Sequence, residues 1–131
     1  MISSPTPSLG EPAEDLHTYI MVLYTSVVES SANLDMFLLS SSMTHSGMTF
    51  NNVFRRFYSD FYRLYLVTKC LSSISKKDNN TEIQEWFASS ENILTKNRKN
   101  DRRPHAKRGL QLCRMWIETL YDKQIIKNVR N

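Results

Sequence analysis

Apolar residues recur along the chain at spacings of three and four, the repeat of a helix with one buried face, and no useful length of strand-type alternation is present. Leu16, Ile20, Leu23, Val27, Leu34 and Leu38 form the first such stripe, widened by Tyr19, Val22 and Phe37, and predict a helix from about Ala13 to Ser41. The stripe weakens at Ser30 and Ser31, which implies either a close approach by another helix or a bend. Ser46-Gly47 interrupts the pattern, and Thr49 can cap the next helix. There Phe50, Phe57, Leu64 and Leu71 recur every seven residues with Phe54, Phe61 and Thr68 interleaved, the strongest periodic signal in the chain. Arg56, Asp60 and Arg63 fall on the other face, where Asp60 can pair with either arginine. This helix is expected to end at Lys76-Lys77, with KDNN as the turn.

Thr81 and Gln84 have capping-box spacing and open a shorter helix with Ile83, Trp86, Phe87, Ser90 and Leu94 on its inner face. Pro104 is placed to begin the last helix, whose stripe is Ala106, Leu110, Cys113, Ile117 and Leu120 with Trp116 beside it; Ile125 and Ile126 follow. The expected fold class is therefore all-α, a single-domain bundle of about four helices over residues 14–131. A flexible tail, residues 1–13, precedes it, because MISSPTPSLGEP holds three of the four prolines. A chain of 131 residues can bury a core without metal or disulfide support. Cys70 and Cys113 lack CxxC spacing and lie in apolar helical contexts, so they are expected to be small buried hydrophobes in a reducing compartment.

No Lys or Arg precedes Arg55, so the basic start of a secretory signal is missing, and the most apolar run, Leu16 to Val28, is too short to span a membrane. An intracellular protein without a membrane role is expected. His17, His45 and His105 are far apart in sequence and the three glycines are isolated, which leaves neither a zinc motif nor a phosphate-cradling loop. No metal or cofactor is expected, and the residues lean toward a non-enzymatic role.

Charge separates the possible functions further. Residues 1–54 carry five acids and no Lys or Arg, net −5, whereas residues 55–131 carry 17 bases against eight acids, net +9. Lys96, Arg98, Lys99, Arg102, Arg103, Lys107 and Arg108 lie within 13 residues, offset only by Asp101. If Pro104 starts a helix, these cations crowd an N-terminus where free N–H groups and the helix dipole already attract anions. Cations there oppose the dipole at a cost of ~0.3–1 kcal/mol each, so helix stability alone does not select them. Arg55 and Arg56 repeat the arrangement in the second helix. The expected function is a non-enzymatic basic helical protein that binds RNA or DNA through the phosphate backbone with little sequence readout, as part of a nucleoprotein or multi-subunit assembly. Its site residues are Lys96, Arg98, Lys99, Arg102, Arg103, His105, Lys107 and Arg108, helped by Arg55, Arg56 and Arg63. Within FRRFYSDFYRLY, Phe54, Phe57, Phe61 and Tyr65 are assigned to the core, and Tyr58 and Tyr62 to a surface that can stack on bases.

Two alternatives use the same residues differently. A helical protein–protein adaptor or self-assembling scaffold, as a homo-oligomer or with another protein, would set the acidic half against a basic one; the apolar content of the first two helices favours an oligomer or complex. Arg98 and His105, with six residues between them near the start of a late helix, resemble the catalytic Arg and His of HEPN ribonucleases, which are helical bundles. The resemblance covers that motif alone. The polar residue often found directly after the Arg is Lys99 here, and Pro104 directly precedes the His.

Overall fold

The computed structural model describes residues 10–42, 44–72, 80–96 and 101–127, with the backbone alone for 10–13. Four helices account for nearly all of them: α1 (Gly10–Ser40), α2 (Phe50–Lys69), α3 (Asn80–Thr95) and α4 (Arg103–Asp122). A two-residue antiparallel pair, β1 (Thr44–His45) with β2 (Met48–Thr49), joins α1 to α2. Ser46 and Gly47 form its turn with φ of 51° and 76°, the left-handed pair that a tight hairpin requires. The Thr49 hydroxyl accepts the Asn52 N–H at 3.2 Å and caps α2.

Side-chain contacts fix the helix directions. Ser26 meets Asp60 and Phe37 meets Phe50, so α1 and α2 are antiparallel. Arg55 meets Leu94 and Tyr65 meets Asn80, which makes α3 antiparallel to α2; Ser90 with His105 and Glu82 with Arg108 make α4 antiparallel to α3. The result is an up-down-up-down four-helix bundle, with α2 packed against all three other helices. Among the described residues, no helix is long and apolar enough to cross a membrane.

The core joins Ile20, Leu23, Val27, Leu34 and Phe37 of α1 to the Phe50, Phe54, Phe57, Phe61 and Leu64 row of α2. The expected inner face of α3 is buried in full, and α4 contributes Ala106, Leu110, Cys113, Trp116 and Leu120. Ser30 is fully buried in line with Val27 and Leu34, and its hydroxyl donates to the Val27 carbonyl at 3.2 Å, so the stripe of α1 runs through it.

Several expectations change. The first helix begins at Gly10, three residues early, because Pro12 falls in its first turn, where a residue without an N–H is tolerated. The rest of the expected tail, residues 1–9, lies outside the described residues. Tyr19 and Val22 are exposed and do not widen the stripe of α1. The second helix stops at Lys69; the Thr68 carbonyl takes the N–H groups of both Leu71 and Ser72 in a tightened last turn, and Leu71, beyond the helix, is exposed. Lys76 and Lys77 lie outside the described residues. Asp60 pairs with neither arginine: it shares the spacing of Val53, Phe57 and Leu64, is buried, and accepts a 3.0 Å hydrogen bond from Ser26 on α1. Ile117 is only partly covered. Cys70 is exposed at the C-terminus of α2, in heptad register with the exposed Arg56 and Arg63, whereas Cys113 is buried and its thiol is pushed far up by desolvation.

Trp86 packs where no side chain leaves room. A Cβ built on Gly109 would lie 2.1 Å from Trp86 Cζ2. Gly109→Ala gains up to ~1 kcal/mol of helix propensity yet forces the indole out of place, a cost of about 1–3 kcal/mol. We expect net destabilisation, read as a lower urea midpoint with an unchanged denaturant slope.

Candidate polyanion-binding end of the bundle

Antiparallel packing brings the C-termini of α1 and α3 and the N-termini of α2 and α4 to one end. Each arriving C-terminus presents unsatisfied carbonyls, and neither α1 nor α3 has a basic residue in its own last turn. Their neighbours supply the donors. Arg55 donates from Nη2 to the Leu94 carbonyl at 2.8 Å. Arg102 donates to the Lys96 carbonyl at 3.1 Å and to Asn51 Oδ1 at 3.0 Å, which ties the α3–α4 connection to α2. Arg103 donates to the Ser41 carbonyl at 3.1 Å, just past α1, and pairs with Asp101 at 3.7 Å. The cations that look misplaced for α4 are thus well placed for α1 and α3.

The other expected site residues divide by environment. Arg56, Lys96 and Lys107 are exposed at this end, and their side chains make no hydrogen bond or ion pair among the described residues. Arg63 is equally exposed but lies two turns further along α2, on the flank. Arg108 pairs with Glu82 and donates to Gln111 Oε1 at 3.3 Å, so it leans away toward α3. Arg98 and Lys99 lie outside the described residues. Neither α2 nor α4 has an acid in its first turn. At the opposite end Glu14, Asp15, Glu82, Glu85, Glu118 and Asp122 outnumber Lys69, Lys123 and Lys127 among the described residues.

His105 is bound into the packing. Its ring stacks on Trp86 with centroids 5.1 Å apart and planes at 10°, and Trp86 Nε1–H donates to the His105 carbonyl at 2.9 Å. His105 Nε2 lies 2.7 Å from Ser90 Oγ, which itself donates to the Trp86 carbonyl at 2.7 Å. With the Ser90 hydrogen so used, Nε2 carries a proton and donates. Desolvation lowers the pKa of His105, so the neutral ring is favoured. Ser90, Gly109 and Asn51 complete this end, and none of them belongs to the expected site. A small polar residue inside an apolar stripe is the available signal for Ser90, and a glycine amid helix formers for Gly109.

Among the described residues, no group of three or more His, Cys, Asp or Glu side chains is arranged to hold a metal ion. No protein-family model matches the chain, and neither a curated protein nor a solved structure similar to it is found.

The division of roles has measurable consequences. Arg102→Ala removes charge-assisted bonds to Lys96 and Asn51 in a partly exposed setting and should cost about 1 kcal/mol of stability, whereas Lys107→Ala should cost less than about 0.5 kcal/mol in the same denaturation assay. The folded state disfavours the His105 cation, so between the unfolded value near 6.5 and the lower folded value the unfolded chain binds more protons. The contribution of His105 to stability is complete above about pH 6.5 and declines as pH falls below it. That decline should shrink in His105→Gln, as urea midpoints across pH 5 to 8 would show.

Proposed function

We propose that the protein binds nucleic acid without catalysis, neutralising backbone phosphates at the basic end of the bundle, as a component of a nucleoprotein or multi-subunit assembly. One observation carries this reading: Arg56, Lys96 and Lys107 stand exposed and unpaired among the described residues, beside two helix N-termini that lack acidic first-turn residues. Arg55, Arg102 and Arg103 already serve helix carbonyls, so they contribute field more than free hydrogen bonds. Phosphates make no demand on base identity, which fits the lack of any motif that reads base edges.

A second reading has its own support. Val22, Val28, Met36 and Leu39 are exposed on α1, Leu39 at 86%, and α1 carries no Lys or Arg, which suits an adaptor or scaffold with a basic or apolar partner. The ribonuclease reading gains nothing from His105, whose Nε2 is held by Ser90 beneath a stacked indole.

Affinity for a labelled DNA duplex, measured by anisotropy against salt, should fall steeply as salt rises. Replacing Arg56, Lys96 and Lys107 with Ser should reduce the magnitude of the log–log slope by about 0.9 for each phosphate no longer neutralised, with the melting temperature held. An unchanged slope in a folded variant would remove this end of the bundle from the interface.

A further inference from the structure

A groove of about 280 Å3 lies between α2 and α3, and its walls combine aromatic rings with polar and charged side chains. Tyr58, Tyr62 and Tyr65 line it from α2 and Phe87 from α3. The Tyr58 and Tyr62 rings stack with centroids 5.8 Å apart and planes at 16°, and Phe87 stands edge-on to both, at 5.6 and 5.0 Å. Tyr58 is wedged against Trp86 and Phe87, so packing accounts for it. Tyr62 is different: it remains 39% exposed and its hydroxyl makes no hydrogen bond among the described residues. Two near-parallel rings with the outer one open to solvent form a platform that a third planar ring extends.

Charges around the groove restrict what enters. Glu91 lines it beside Tyr58 and repels a phosphate at that end, so the part of a ligand that lies against Tyr58 and Tyr62 is its uncharged part. Cations flank the groove. Lys69 lines it at its other end, 5.6 Å over the Tyr65 ring, Arg55 is one helical turn from Tyr58, and the exposed Arg63 follows Tyr62 in the chain. Its volume equals that of roughly nine waters at ~30 Å3 each, room for one nucleobase and its sugar.

We propose that this groove takes an unpaired base of a single-stranded nucleic acid, stacked on Tyr62, while the adjoining phosphates run past Arg63 and Arg56 to the basic end of the bundle. The proposal rests on the nucleic-acid reading and narrows it to single strands. Bases inside a duplex are already stacked and paired, so they cannot enter the groove.

The test compares a short fluorescein-labelled DNA oligonucleotide of mixed sequence with the same sequence as a duplex, by anisotropy at fixed salt. The single strand should bind more tightly than the duplex. Tyr62→Ala, at an exposed site that leaves the fold intact by circular dichroism and melting, should weaken single-strand binding about tenfold. It should leave duplex binding unchanged, and Tyr62→Phe, which keeps the ring, should bind as the parent does. Equal affinity of the parent for the two probes, or single-strand binding untouched by Tyr62→Ala, overturns the base site. If the triple Ser variant at Arg56, Lys96 and Lys107 still weakens both probes in that case, phosphate binding survives without it; if the parent binds neither probe, both readings fall together.

Discussion

The bundle depends on one contact that only glycine permits. The Trp86 indole lies against the backbone of α4 at Gly109, stacks on His105 one turn earlier and meets Phe54, Phe57 and Phe61 of α2 on its other sides. A single side chain thereby sets the separation of α3 from α4 and the depth of both against α2. Its N–H goes to the His105 carbonyl, so burying the ring leaves no orphaned donor. Trp116 repeats the solution one layer away: its indole donates at 2.8 Å to Thr68 Oγ1, and that hydroxyl donates to the Leu64 carbonyl at 2.6 Å. Two indoles, each with a buried hydroxyl nearby, pin the register of a core otherwise built from phenylalanine and leucine.

Once the helices are held in this order, their polarity assigns the arginines. An up-down-up-down bundle must gather two carbonyl ends and two amide ends at each pole. At one pole Arg55, Arg102 and Arg103 reach across to carbonyls at or just past the ends of α3 and α1. Residues that look alike in sequence are therefore divided between those bound to helix carbonyls and those left exposed. Among the described residues of this pole, Arg55, Arg102 and Arg103 are engaged while the Lys96 and Lys107 side chains are free, as their chemistry favours: a planar fork holds several donors in fixed directions, while an ammonium on a flexible stem stays hydrated.

Much of this is legible in the chain itself. Seven-residue recurrence of phenylalanine places α2 and its inner face, and three-four spacing places Ile83, Trp86, Phe87, Ser90 and Leu94. What escapes is relational. Asp60 lies on the stripe of Val53 and Leu64, but only the presence of Ser26 across the interface makes a buried carboxylate tolerable there. The cations before α4 oppose the dipole of their own helix, and periodicity carries no information about which foreign helix ends there. Gly109 marks a close approach, but nothing local names Trp86 as the group that approaches.

The separation of charge between the two poles bears on how the molecule meets other charged bodies. A helix of 20 residues such as α4 is roughly 30 Å long, several times the screening length of about 8 Å at physiological ionic strength. The poles are then electrically independent, and the formal net charge of +4 describes neither of them. An approaching polyelectrolyte senses only the nearer pole and turns the molecule before touching it, so the rate and orientation of encounter are set by a local field that the whole-chain charge understates.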